Sequence, residues 1–252
     1  MTDIRPVLSV ITVVYNNVRD IERTMLSVLN QTYPHIQYIV IDGKSTDGTM
    51  DVVNKYRDRI TKIVSEKDRG IYDAMNKGLT MTEGDYVIFM NSGDEFYAPD
   101  TVAKVFATAP GGDIYYGETE MINDKGESLG QRRHKAPEKF NWRGFKYGMS
   151  ISHQAIYIKV GLLGPFDKRY KLSADIDWII RAAQKAYKII NVHAFVAKYQ
   201  VGGMSKNKHL QSLTERFLIM CRYYGIVPTL FYHVVIFFRL AGYFIVNRRT
   251  ND

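Results

Sequence analysis

The sequence predicts an α/β fold: a mostly parallel sheet flanked by helices, followed by a helical C-terminal extension. Three observations predict it. Short β-branched runs alternate with segments of helical period over the first hundred residues; polar residues gather where those runs end; and residues 226–246 are nearly all apolar. With 252 residues, 46% of them hydrophobic, the chain is long enough to bury a large core.

The elements follow in order. "LSVITVVYN" (8–16) is a continuous apolar run and reads as a strand buried on both faces. It follows Asp3 and Arg5, ends in Asn16 and Asn17 and lacks a small-residue cleavage site, so a strand is expected there and not a signal peptide. "RDIERTMLSVLNQ" (19–31) places Ile21, Met25, Val28 and Leu29 on one helical face. The pattern repeats as "YIVID" (38–42) with a helix after Ser45, capped by Ser45 or Thr46, as "ITKIVS" (60–65) with "IYDAMNKGL" (71–79), and as "DYVIFMN" (85–91). Buried strands separated by helix-length segments call for a parallel sheet covered on both sides. In such sheets ligands bind outside the carboxyl ends of the strands. That rule selects Tyr15 and Asn16, Asp42, Glu66 to Arg69, and Asn91 to Asp94.

Composition narrows the functional classes. The single cysteine, Cys221, precludes an internal disulfide and points to a reducing cytoplasm. The net charge of +8, with a basic cluster at residues 131–135, favours anionic partners. No zinc-finger or RNA-recognition spacing accompanies it, so no nucleic-acid partner is expected. Neither G-x-G-x-x-G nor G-x-x-x-x-G-K-[ST] occurs, which removes the main support for a dehydrogenase or a P-loop NTPase.

What does occur, in order, is "VVYNN", "VIDGKSTDGT", "GIYDAMNKG" and "MNSGDE". Together these segments resemble the inverting family 2 glycosyltransferases of the GT-A (Rossmann-like) fold, in particular bacterial enzymes of colanic-acid, O-antigen and capsule assembly. The resemblance runs from Leu8 to Ser205. It implies a GT-A domain over 1–205, with a nucleotide-sugar half to residue 98 and an acceptor half over 99–205. The extension is 206–252.

The resemblance also implies roles. The donor is a sugar nucleotide, carrying a UDP or GDP moiety, with Mn²⁺ or Mg²⁺ on its diphosphate. Asp42 matches the carboxylate that meets the base or ribose; Val13, Tyr15 and Asn16 line the base pocket. Arg69 is placed to meet the diphosphate, as its planar fork suits phosphate, and Asp73 and Asn76 match donor contacts. Met75 stands where many relatives carry arginine. Asn91 and Ser92 stand in the Asp-x-Asp region, of which Asp94 alone survives as a metal ligand; diphosphate oxygens and waters would complete the shell. In "SHQAIYIKVGLLGPFDKRYKLSADIDWIIRAAQKA" (152–186) the usual Glu-Asp pair reads Ala174-Asp175, which puts Asp175 at the general-base position. An acid in a first helical turn is otherwise a capping or dipole partner. His153, Asp177 and Trp178 belong to the acceptor side, and "GGMSKNKH" (202–209) resembles a loop that folds over the diphosphate with Ser205 or His209 as contacts.

The apolar stretch 226–246 is long enough to span a bilayer, yet Arg239 within it costs roughly 2.5 to 3.5 kcal/mol even on a lenient scale. With Arg248 and Arg249 behind it, two settings suit it: a helix in the membrane interface, or one packed on the catalytic domain or on a second copy in a homodimer. The expected protein is thus a cytoplasmic enzyme at the inner face of the membrane, acting on a glycan or lipid-linked saccharide. It is non-processive, since Q-x-x-R-W is absent. A nucleotidyltransferase and an inert sugar-nucleotide-binding module are the alternatives.

Overall fold

Strand β1 (Leu8–Val14) is buried at all its positions, and β2 (Ile36–Asp42) at all but the first. That is what their unbroken apolar runs require, because alternation would expose one face. In the computed structural model, which describes residues 5–132, 134–148, 151–202 and 209–248, β1 pairs in parallel with β2 on one side and with β4 (Tyr86–Phe89) on the other. Strand β3 (Lys62–Ser65) extends the parallel set beyond β2. Helices α1 (Ile21–Leu29), α2 (Thr49–Asn54) and α3 (Ile71–Thr80) make the crossovers. Ile21, Met25 and Val28 of α1 are buried against the sheet as their spacing predicts, with Leu29 partly covered. Each such aliphatic side chain contributes about 1.5–3 kcal/mol by leaving water.

The second half of the sheet is mixed where the sequence pattern led us to expect mostly parallel strands. The whole sheet has the order β3, β2, β1, β4, β8 (Ile156–Lys159), β6 (Ile114–Ile122), β9 (Ile189–Gln200), β5 (Glu95–Phe96), with β7 (Ser128–Gln131) on β6. Strand β8 runs antiparallel to both β4 and β6. Strand β6 pairs antiparallel with β7 and parallel with β9, which in turn holds β5 antiparallel. Helix α4 (Thr101–Thr108) follows β5, and α5 (Ala174–Lys185) packs its buried face, including Trp178, Ile179 and Ile180, into the same core as β4 and β8.

Two details differ from the sequence reading. Helix α2 starts at Thr49 behind a left-handed Gly48, and neither Ser45 nor Thr46 caps it. Ser45 instead donates to Asp42, while Asp47 accepts from the Thr49 amide. The tail forms a helical hairpin, α6 (His209–Tyr224) and α7 (Ile226–Arg248), turned at Gly225 with φ +83°. Among the described residues, no helix is long and apolar enough to cross a membrane.

Candidate active site

The carboxyl ends of β1 and β4 open on a cleft of about 630 Å³. Its near wall is built from the strand ends. Tyr15 follows β1 with its ring 67% exposed, and Val13 lines the cleft behind it. Asn16 takes a left-handed conformation, φ 46°, and staples this turn to the β2 loop: its amide donates to Ser45 Oγ and its Oδ1 accepts from Thr46 N. Asn17 does the same toward β4, donating from Nδ2 to Ser92 Oγ at 2.9 Å. Asp42 is fully buried and accepts from Ser45 Oγ at 2.5 Å and Ser65 Oγ at 2.6 Å, so its oxygens order the loop beneath Tyr15.

After β4 the chain turns at Asn91 to Asp94, where the Asp94 amide donates to Asn91 O. Gly93 has φ +106°, a conformation that L side chains rarely adopt, so the turn requires glycine. The turn thereby delivers Asp94 to the cleft, only 6% exposed. Burial pushes its carboxyl up to about 7, against the attraction of His153.

The far wall comes from the second half. His153, in a 3₁₀ turn before β8, lies between two acids. Its Nδ1 is 3.5 Å from Asp175 Oδ2 and its Nε2 is 3.9 Å from Asp94 Oδ2. Asn91 Nδ2 meets the same Nε2 at 3.0 Å. Burial lowers the His153 pKa, but the hydrogen bond and charge of Asp175 and the charge of Asp94 outweigh it and hold the ring above its ordinary value. Asp175, in the first turn of α5, also accepts from Tyr72 Oη at 3.2 Å. Burial raises its carboxyl, and His153, Arg216 and Tyr72 together bring it below the usual carboxylate range. Glu215 of α6 accepts from the amides of Lys171, Leu172 and Ser173 just before α5, and Asp175 Oδ1 accepts from the Ile176 amide in the first turn of the helix. Asp175 Oδ2 is left on the His153 side, toward the cleft.

The structure thus sets a buried carboxylate at a strand end, Asp94, and a partly buried one at a helix start, Asp175, on opposite walls of one cleft with the His153 imidazole between them. The model of glycosyl transferase family 2 matches residues 9–163. The chain belongs to that family. Similar proteins include a PGL/p-HBAD biosynthesis glycosyltransferase of Mycobacterium bovis, 29% identical over 79% of each chain. An uncharacterized glycosyltransferase of Mycobacterium tuberculosis is 32% identical over 71% of this chain and 69% of its own. The putative teichuronic acid biosynthesis glycosyltransferase TuaG of Bacillus subtilis is 41% identical over 38% of this chain and 39% of its own. Among solved structures, S. aureus TarS 1–349 superposes with a TM-score of 0.63 at 21% identity, over 85% of this chain and 65% of that one. The mannosyltransferase PcManGT of Pyrobaculum calidifontis, solved with GDP-Man and Mn²⁺, gives 0.64 at 22%, over 87% and 65%. These two likenesses establish the GT-A-like fold, and the chain spans just under two thirds of their length.

For this family 2 glycosyltransferase, a metal at Asp94 has to fit the residues present. Among the described residues, no group of three or more His, Cys, Asp or Glu side chains could hold an ion. Beside Asp94, however, the buried Asn91 Oδ1 has no hydrogen-bond partner. A dry carboxylate and an orphaned amide oxygen fit a cation that takes its remaining ligands from a diphosphate and water.

Several expected site residues lie elsewhere. The Arg69 side chain is not among those lining the cleft; its amide donates to Asp73 Oδ2. Asp73 also accepts from Lys168 Nζ at 2.8 Å, and that ion pair holds its carboxyl low. Asn76 forms a two-way clamp with the backbone of Phe166, at 3.0 and 2.7 Å. Asp177 is fully buried and joined to Arg181, Arg222 and Tyr223, tying α5 to α6. Trp178 stacks on Phe166 and donates to Gly164 O. Ser205 lies outside the described residues, and of His209 only the backbone is described, at the start of α6.

The cleft also holds residues that sequence reasoning did not single out: Tyr72, Arg132, Tyr199, Gln200 and Arg216. Tyr72 stands one position before Asp73 inside a quoted motif, and Arg132 lies in the basic cluster. Arg216, in the middle of a helix, carries no local signal.

Proposed function

We propose that this glycosyltransferase moves a sugar, with inversion, from a UDP- or GDP-sugar to a hydroxyl of a glycan acceptor in bacterial surface polysaccharide biosynthesis. The observation that carries the reading is the Asp94–His153–Asp175 constellation, in which a buried carboxylate on the leaving-group side faces a partly buried one on the acceptor side. The relatives named for PGL/p-HBAD and teichuronic acid biosynthesis support the substrate class. Domain limits of 1–205 and 206–252 complete the proposal.

Tyr15 offers an open ring on which a base stacks, over the loop that Asp42 orders, with Val13 and Asn16 behind it. Asn91 and Asp94 would hold a divalent cation, which when bound supplies neutralisation of charge on the departing diphosphate. Asp175 Oδ2 takes the proton from the acceptor hydroxyl as that oxygen bonds to the anomeric carbon, and the bond from that carbon to the phosphate oxygen breaks. His153 and Tyr72 fix the Asp175 carboxylate for this transfer. Its depressed pKa keeps it ionised at neutral pH, and closure around the acceptor strengthens it as a base.

The tail supplies attachment to a membrane surface at the cytoplasmic face. Ile226, Val227, Leu230, Phe231, Val234 and Phe238 are all more than half exposed on α7, with Arg143 and Lys146 packed on the neighbouring aromatic rings. Flotation with vesicles containing anionic lipid tests this; a stable dimer in solution without flotation would favour a second copy instead.

The activity is tested by incubating UDP- and GDP-sugars with Mn²⁺ or Mg²⁺ and following the anomeric proton by NMR. Release of a β-configured sugar from an α-linked donor is expected. Donor binding without turnover across the panel would support an inert binding module.

A further inference from the structure

The far wall carries more positive charge than the transfer itself uses. Arg132, beyond β7, and Arg216, in α6, both line the cleft on the Asp175 side. Arg132 donates to the buried Ser152 Oγ. The Nε of Arg216 is buried without a hydrogen-bond partner. Among the described residues, neither guanidinium has a salt-bridge partner. Glu118, one of the acids that attracts Arg132, is occupied by the Ala136 amide. Burial, and to a smaller degree repulsion from Arg216, work against the charge on Arg132. The Asp175 carboxylate attracts both guanidiniums but forms an ion pair with neither, so two like charges with unused donors face one cleft, an arrangement that an anion taken up between them would relieve.

We propose that Arg132 and Arg216 form a subsite for a phosphate or diphosphate ester carried by the acceptor. This rests on the transferase reading for the word acceptor, but not for the binding itself. The place argues for the acceptor and against the donor. Asp94, on the near wall, is influenced by His153 and Glu95, whereas Arg216 acts on Asp175, the base that the acceptor hydroxyl must approach. Arg216 is also held rigidly, because its neighbour Glu215 is locked onto the amides that precede α5. The same helix exposes Leu210, Leu213 and Leu218, and α7 exposes its apolar row beside it. One helical hairpin thus presents guanidinium inward and hydrocarbon outward, the two chemistries of a prenyl diphosphate-linked sugar.

Calorimetry on the full chain tests this with three probes: inorganic pyrophosphate, farnesyl diphosphate, and UDP or GDP with Mn²⁺. Arg216→Gln and Arg132→Gln are expected to weaken pyrophosphate and farnesyl diphosphate by about tenfold or more, leaving the nucleotide within about twofold of wild type. Arg→Lys at either position should recover only part of the loss, because lysine keeps the charge and loses the fork. Thermal melting identifies any variant that fails to fold, and the matching Lys variant then stands in for it. Equal loss of nucleotide binding would assign the pair to the donor and overturn the acceptor claim. Pyrophosphate binding that is absent in wild type, or unchanged in both variants, would overturn the subsite.

Discussion

The near wall of the cleft comes from segments that are short, contiguous and placed at the ends of parallel strands, Val13 to Asn17 and Asn91 to Asp94, with Asp42 to Ser45 bracing the first from beneath. The far wall comes from Arg132, Ser152 and His153, Asp175, Tyr199 and Arg216, which lie on five different stretches of the second half. Local geometry builds the first, since each turn is forced by its own residues, such as a glycine at 93 or an asparagine at 16. Tertiary packing builds the second, where Glu215 prepares the entry to α5 and His153 is held by an acid on either side. The acids show the same contrast. Asp42, Asp73 and Asp177 have hydroxyl or cationic partners within hydrogen-bonding distance, while at Asp94 burial outweighs both the backbone amide of Gln200 and the charge of His153, 3.9 Å away.

The largest expected effect is at Asp175. Asp175→Asn removes the proposed base while keeping a side chain that His153 and Tyr72 can still contact, so kcat should fall about 10²- to 10⁴-fold with donor KM little changed. Steady-state rates at saturating donor and acceptor measure this. Retention of more than roughly a tenth of the wild-type rate would place the base elsewhere.

Two residues along, the same substitution should act on the fold instead. Asp177 has no exposure and holds Arg181, Arg222 and Tyr223 at 2.8, 3.2 and 2.7 Å. Asp177→Asn leaves these donors without their anion and should cost about 3 kcal/mol of stability in urea unfolding, with the rate per folded molecule close to wild type. A large loss of rate in a variant that melts like wild type would return Asp177 to the active site.

These neighbours show how far the sequence could be read. The parallel strands of the first half were legible because a strand buried on both faces leaves an unbroken apolar run. So was the position of Asp175, which a motif marks. The mixed second half was not, because strand direction there is set by pairing between segments about 75 residues apart, as β6 with β9, or about 100, as β5 with β9, and no local period records it. Asp177 and Asn76 read as site residues because polar residues near a motif look alike in sequence whether they face a ligand, the buried partners of another helix, or a backbone such as that of Phe166. Arg216 was invisible for the converse reason: a helical arginine is usually solvated, and only the packing of α6 turns this one inward. The near wall carries its chemistry in its sequence, and the far wall carries it in its contacts.

The subtlest effect separates two acids of the near wall. Asp42→Asn replaces an acceptor of two short hydroxyl bonds by a group that presents a donor to one of them, and should lower the melting temperature by the equivalent of about 1–2 kcal/mol. Asp94→Asn should act in the opposite sense. In the unfolded chain this carboxyl loses its proton near about 4, and in the folded, ligand-free protein at about 7. Between those values the folded state holds the extra proton, so the residue's contribution to stability falls as the pH rises and the penalty is complete above the upper value. Asparagine carries no such charge. Asp94→Asn should therefore melt above wild type at pH 8 and level with it at pH 4. Addition of nucleoside diphosphate and Mn²⁺ at pH 8 should then reverse the ranking, since a ligand that binds only the wild-type site stabilises only that protein. A melting temperature lowered by Asp94→Asn at pH 8 without ligand would show that Asp94 is a partnered structural acid like Asp42, and the functional contrast between them would fail.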